Sequence, residues 1–160
     1  MTHLKALVFD VDGVLTDGGV WWGPDGAEWK RFCFADIMGV SLAMKAGLRV
    51  GLISGEDSPL VDRFAVKMGI TDVEKNCKNK ARALRSFAER RGLALSDIGF
   101  MGDDVNDLEA MSIAGVAAAP ANAVAAVLQK AAFVAGRQGG YGAVRELVDA
   151  VLSGRHGQAL

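Results

Sequence analysis

The chain of 160 residues sets 18 Lys and Arg against 19 Asp and Glu, a formal charge of −1, with 51% hydrophobic and 23% charged residues. That balance gives no electrostatic reason to expect nucleic acid or an anionic membrane as a partner, and no apolar stretch reaches the roughly 20 residues a membrane helix needs. The length suits one domain that buries about 70% of the surface its unfolded chain exposes, and Cys33 and Cys77 fit neither a metal spacing nor a disulfide framework, so a reducing cytosol is the expected compartment.

The first predicted element is a strand over residues 4–9, an apolar run that ends on Asp10-Val11-Asp12-Gly13. Side chains alternate along a strand, so Asp10 and Asp12 leave its carboxyl end on one side, and Gly13 frees the chain to turn away. Two neighbouring carboxylates repel and burial raises the penalty on their charge, so the pair calls for a shared proton or a bound cation. A solvated turn would use the same residue types.

Residues 18–32 stand apart from the strand and helix patterns of the chain. Turn residues separate two aromatic-rich arms, which predicts a β-hairpin flap. All three Trp residues, Trp21, Trp22 and Trp29, lie here, more aromatic surface than an isolated ribbon can bury, so the hairpin is expected to pack on the parent domain or at a subunit interface.

Helical patterns near 36–46, 58–68, 79–91, 105–112, 122–130 and 140–152 then alternate with strands near 49–53, 98–102, 115–117 and 132–134. The rhythm predicts an α/β fold, a doubly wound parallel sheet with helices on both faces, as one domain over 1–160. Local punctuation agrees: Ser58 with Pro59 opens one helix, while Gly47, Gly69 and Gly92 come just past the ends of others.

Three further strand-end or helix-start signals accompany the acid pair. Ser54-Gly55 comes directly after one strand, Lys80 opens a helix, and Gly102-Asp103-Asp104-Val105-Asn106-Asp107 comes after another strand. In an open parallel sheet, ligands bind beyond the carboxyl ends of the strands where their order reverses, and there Asp10, Asp12, Ser54 and Asp103 would meet. Asp10, Asp12, Asp103, Asp104 and Asp107 in one crevice call for a hard cation, and oxygen-only ligands favour Mg2+ over zinc. A calcium loop fails, because counting from Asp104 puts Glu109 where glycine is required.

Singly, these signals also fit an acidic helix start and a solvated lysine. Together, a cation, a lysine and a serine beside two carboxylates suit phosphoryl transfer, which depends on positioning and charge neutralisation. One carboxylate would attack phosphorus and the other carry protons; spacing does not say which.

Asp10-Val11-Asp12-Gly13-Val14-Leu15-Thr16, Ser54-Gly55, Lys80 and Gly102-Asp103-Asp104-x-x-Asp107 resemble, in order, the four motifs of the haloacid dehalogenase superfamily of phosphatases. Asp10 to Gly18 and Gly139-Gly140-Tyr141-Gly142-Ala143-Val144-Arg145-Glu146 carry a narrower likeness, to the 3-deoxy-D-manno-octulosonate 8-phosphate phosphatases and their relatives acting on 2-keto-3-deoxynononate 9-phosphate. The resemblance implies Asp10 as a nucleophile forming an aspartyl-phosphate, Asp12 as acid/base, and Ser54 and Lys80 on the phosphate. It further implies Mg2+ on Asp10, the Asp12 carbonyl and Asp103, with Asp104 and Asp107 behind them. Asp36, Gly55, Glu56, Arg63, Lys67 and Asn106 are the expected substrate contacts.

The same resemblance implies a Rossmann-like domain without a cap, since the gaps between the first three motifs, about 40 and about 25 residues, are taken up by the hairpin and helices. It also implies a small sugar acid phosphate as substrate, a role in lipopolysaccharide biosynthesis, and a homotetramer whose hairpin and neighbouring C-terminal tail border each site. Three departures stand out. Gly55-Glu56 replaces the usual Gly-Arg and resembles the nononate branch; Cys33-Phe34-Ala35-Asp36-Ile37 keeps the family aspartate without its asparagine and glycine; Tyr141 stands where some relatives carry arginine. The competing readings are a receiver-like signalling domain and a catalytically silent domain. A receiver carries its phosphoacceptor on a later strand, where this chain has Ser54, and a silent domain would not need every catalytic position filled.

Overall fold

The apolar run before Asp10 becomes β1 (Ala6–Phe9) in the computed structural model, which describes residues 1 and 3–156. With strands numbered along the chain, β1 lies inside a six-stranded sheet beside β4 (Arg49–Ile53) and β6 (Ile98–Met101). Beyond β4 is β5 (Asp72–Glu74), and beyond β6 are β7 (Val116–Ala119) and β8 (Phe133–Val134), giving the order β5-β4-β1-β6-β7-β8. All neighbours run parallel. The doubly wound sheet with helices on both faces is therefore as expected.

Alternation along β1 builds both layers at once. Leu7 and Phe9 enter a core with residues of α1 (Phe34–Lys45), α2 (Pro59–Met68) and α6 (Ala143–His156), while Ala6 and Val8 face a second core with residues of α3 (Lys80–Arg91), α4 (Leu108–Ile113) and α5 (Ala125–Lys130). Each fully buried Leu or Phe contributes about 1.5–3 kcal/mol relative to exposure. Both faces are covered, which explains why the strands read as apolar runs rather than alternating ones.

Several boundaries differ from expectation, each for a local reason. The edge strand β5 is an addition to the expected set: Asp72-Val73-Glu74 has a single apolar residue and is defined by pairing with Gly51, Leu52 and Ile53. Arg91 holds its buried Asp72 at 2.8 Å. The helix near 105 opens as a 3-10 turn over Val105–Asp107 before α4. The final helix starts at Ala143 rather than near 140, because Gly140 and Gly142 both take positive φ.

The hairpin is present as β2 (Trp21–Trp22) against β3 (Glu28–Trp29), with Trp21 opposite Trp29. Its stem is closed by an antiparallel bridge between Thr16 and Phe32, and Phe32 stacks on Phe64 of α2 with centroids 4.8 Å apart. The arms project outward, leaving Trp21 and Trp22 71% and 75% exposed. Among the described residues no helix is long and apolar enough to cross a membrane. The C-terminal tail expected beside a neighbouring site falls, for residues 157–160, outside the described residues.

Candidate active site

Phe9 lies opposite both Leu52 and Met101, so the carboxyl ends of β1, β4 and β6 finish level. The loops leaving these three strands therefore converge, with β1 lying between the two directions in which the chain winds. Asp10 extends β1 by donating its N–H to Met101 O at 3.0 Å. The loop after it is then wound tightly: Thr16 Oγ1 accepts the N–H groups of Gly13 at 3.3 Å and Gly18 at 3.2 Å. Gly13 takes φ +86°, and a Cβ there would overlap the Asp103 carboxylate. Glycine is thus required both for the turn and for the approach of Asp103 to the first loop.

Lys80 reaches the floor of this crevice from the start of α3. Its Nζ lies 3.0 Å from Asp10 Oδ1 and 2.7 Å from Asp107 Oδ1, with all three side chains nearly or fully buried. Burial works against the lysine's charge, but Asp10 and then Asp107 outweigh it and hold the ammonium above its ordinary range. Burial, and after it repulsion from Asp107, pushes Asp10 well above the usual carboxylate range. The same two causes lift Asp103 to about 6. One lysine does not neutralise three crowded carboxylates, so the free site carries an excess of negative potential.

Asp107 also organises the loop after β6. Its Oδ2 accepts the N–H groups of Asp103 at 3.0 Å and Asp104 at 3.2 Å, while Asp104 caps the 3-10 turn through Val105 N–H at 2.6 Å. Gly102 admits this arrangement because a Cβ there would collide with Asp107. Among the described residues Asp10, Asp103 and Asp107 each offer an oxygen within 4.8 Å of the others, an all-oxygen set suited to a hard divalent cation. Asp107 is already engaged by Lys80 and two main-chain donors, which leaves Asp10 and Asp103 the freer carboxylates.

Above them opens a crevice of about 310 Å³ lined by Asp10, Asp12, Gly55, Glu56, Lys80 and Asp103, with Asp104 and Asn106 at its margin. Ser54 lies directly after β4, fully buried beneath that surface, and its Oγ accepts Glu56 N–H at 3.2 Å. Gly55, Glu56 and Asn106 thus line the crevice. Arg63 and Lys67 do not: they line a separate groove with Lys30, Phe32, Ile37, Leu60 and Phe64. Asp36 also departs from its expected place on the substrate. It is 1% exposed, and its two oxygens accept N–H groups of Gly142 at 3.1 Å and Arg145 at 3.0 Å, so it anchors the start of α6.

Two contacts lie outside the sequence-based expectations. Lys30, from the hairpin arm, places Nζ 2.8 Å from Asp12 Oδ1, with only 4% of its side chain exposed. The period of two along an extended arm, which puts Glu28 and Lys30 on the face opposite Trp29, is the signal that could have revealed it. Second, Gly139 and Gly140 press on the first loop of their own chain, where Gly140 N–H donates to Val14 O at 3.1 Å. Arg31 clamps this segment, donating to Gly140 O at 2.9 Å and lying 4.1 Å over the Tyr141 ring. Tyr141 therefore contributes packing and a cation–π contact where an arginine would contribute charge.

Residues 54–146 match the family model of the haloacid dehalogenase-like hydrolases. The 3-deoxy-D-manno-octulosonate 8-phosphate phosphatase KdsC of Escherichia coli (strain K12) is 33% identical over 150 residues, spanning 94% of this chain and 80% of that protein. The crystal structure of the Moraxella catarrhalis 3-deoxy-D-manno-octulosonate 8-phosphate phosphatase, in complex with magnesium, phosphate and a KDO molecule, superposes with a TM-score of 0.95 at 31% identity, covering 97% of this chain and 89% of that one. The cobalt-bound Haemophilus influenzae deoxy-D-mannose-octulosonate 8-phosphate phosphatase gives 0.94 at 32% identity, covering 97% and 91%.

Proposed function

The chain belongs to the haloacid dehalogenase-like hydrolases, within the 3-deoxy-D-manno-octulosonate 8-phosphate phosphatase family, and from that membership we propose that it hydrolyses a 3-deoxy-2-keto sugar acid phosphate through an aspartyl-phosphate on Asp10. It is a phosphatase, and its cofactor is Mg2+. The observation that carries the mechanism is Lys80 Nζ between Asp10 Oδ1 at 3.0 Å and Asp107 Oδ1 at 2.7 Å, under a crevice that also presents Asp12 and Asp103.

Asp10 attacks phosphorus as the bond to the sugar oxygen breaks, and Asp12 gives that oxygen a proton. Asp12 then takes a proton from water as it attacks the acylphosphate, the bond to Asp10 breaks, and inorganic phosphate leaves. Lys80, the Ser54 hydroxyl and the main chain at Gly55 offer donors to the phosphoryl oxygens. Asp10, Asp103 and the Asp12 carbonyl would hold the Mg2+, which would supply neutralisation of charge on the transferring group. Asp107 supports Asp103 from behind by accepting its main-chain N–H, and Asp104 caps the turn beside it.

The eight-carbon acid phosphate named for the family is the leading substrate. The nine-carbon acid is a second reading, favoured by Glu56 on the crevice margin, where Gly55-Glu56 resembles the nononate branch. Gly55 and Asn106 complete that margin. Exposed Trp21, Trp22, Phe34 and Tyr141 support assembly into a homotetramer around the hairpins.

Phosphate release from both sugar acid phosphates with Mg2+ tests the assignment. Wild type is expected to turn over at least one, Glu56→Arg to shift the preference toward the eight-carbon acid, and Asp10→Asn to lose activity on the order of 10³-fold or more with its fold intact. Substantial activity in Asp10→Asn refutes the nucleophile.

A further inference from the structure

A lysine side chain left only 4% exposed is unusual, since its ammonium gives up hydration and needs compensation. Lys30 finds it in two carboxylates, Asp12 Oδ1 at 2.8 Å and Glu28 Oε1 at 3.5 Å. Glu28, the partner within the hairpin, is the more distant of the two, and the closer one belongs to the first loop. A methionine would fill a similar volume without the desolvation penalty, and buried ion pairs are often replaced by apolar residues at little loss of stability. The ammonium is better explained by where it points.

The arm that delivers it is held at both ends. Phe32, two residues on, stacks on Phe64 of α2 at 4.8 Å. Glu28, two residues back, accepts Ser58 Oγ at 2.9 Å through Oε1 and Trp22 Nε1 at 3.1 Å through Oε2. Ser58 is itself the N-cap of α2, its Oγ accepting Leu60 N–H at 3.3 Å. Lys30 is thus strung between two anchors on one helix, and its last atom meets a carboxylate that lines the crevice.

We propose that Lys30 is a positioning residue for the phosphatase: it holds Oδ1 of Asp12 so that Oδ2 is presented to the leaving-group oxygen, with Glu28 and Ser58 setting the lysine. The inference rests on Asp12 being the acid/base of the proposed reaction. It makes the hairpin part of the catalytic apparatus of its own chain. Lys30 acts through Asp12 and not on the substrate.

Leaving groups separate this role from a structural one. An alkyl phosphate needs its departing oxygen protonated, whereas p-nitrophenolate departs well without a proton. The test compares kcat/KM for 3-deoxy-D-manno-octulosonate 8-phosphate and for p-nitrophenyl phosphate, using full-length protein with saturating Mg2+. For both substrates this ratio reports steps up to formation of the phosphoenzyme. Lys30→Met is expected to lower the sugar-to-aryl selectivity on the order of 10-fold to 100-fold, Asp12→Asn to lower it at least as much, and the double variant to resemble Asp12→Asn. Should Lys30→Met not fold, Lys30→Gln carries the same comparison.

Equal losses on both substrates in the Lys30 variant, alongside a selective loss in Asp12→Asn, would overturn the positioning role. So would losses that add in the double variant, which would mean that Lys30 meets the substrate directly. Equal losses in Asp12→Asn itself would instead remove the acid/base assignment on which the inference stands.

Discussion

Asp103 is the side chain whose surroundings most directly predict solution behaviour. Burial, then the charge of Asp107, raises it from 3.8 to about 6. Its folded value exceeds its unfolded one, so in metal-free protein its contribution to stability is full below the unfolded value and is lost as pH rises through about 6. A cation must displace that proton below pH 6 and meets a ready carboxylate above it. The increase in melting temperature produced by saturating Mg2+ is therefore expected to be several degrees at pH 7.5 and much smaller at pH 5. Equal shifts at the two pH values would show that Asp103 is not a ligand. Asp10→Asn belongs to the same crowded set: removing a charge that burial and Asp107 oppose is expected to leave metal-free protein no less stable, while turnover disappears.

Between elements, the decisive contact joins α1 to the start of α6. Gly39 brings the helices close, since a Cβ there would lie 2.9 Å from Arg145 Cα, and Asp36 then satisfies two main-chain donors that α6 cannot pair within itself. Asp36→Ala strands both and is expected to cost about 2 kcal/mol, read as a lower melting temperature, with KM for the sugar acid phosphate unchanged. A raised KM at unaltered stability would return Asp36 to the substrate. A protease cleaving more readily near Gly142 would be the accompanying sign of a loosened helix start.

At the scale of the whole chain, the described residues form the six-stranded sheet, its helices and the hairpin, and the crevice opens beyond the carboxyl ends of the strands. The hairpin beside it exposes aromatic surface, and a groove of about 640 Å³ lies between Trp21, Trp29, Arg31 and Tyr141. Closing such a site against water strengthens its electrostatic interactions, and a neighbouring subunit could supply that closure. Light scattering is expected to find a tetramer at micromolar concentration, and Trp21→Ser with Trp22→Ser to shift it toward monomer with a fall in kcat/KM. A wild-type monomer at the assay concentration would exclude assembly as the cover. Chelation of Mg2+ by EDTA is expected to abolish phosphate release and re-addition to restore it within the same sample.

Local chemistry explains which parts could be read from the chain. Apolar runs ending in Asp10, Ser54 and Asp103 announce strand ends, because a parallel sheet buries both faces and places polar groups only beyond its edge. Turn and cap residues likewise act within a few positions, so the helices, the hairpin and the crevice membership of Asp10, Asp12, Lys80 and Asp103 were readable without coordinates, while Glu56 and Asn106 were expected there from the family resemblance. Contacts between residues far apart were not. Strand β5 exists through pairing with β4, Asp36 faces residues more than 100 positions away, Arg63 and Lys67 turn to another groove, and Lys30 meets Asp12 only once the hairpin is pinned on α2. Composition and periodicity carry the favoured conformation of a segment; which distant side chain shares its buried volume depends on how the layers pack, and that packing chose the partners of Asp12.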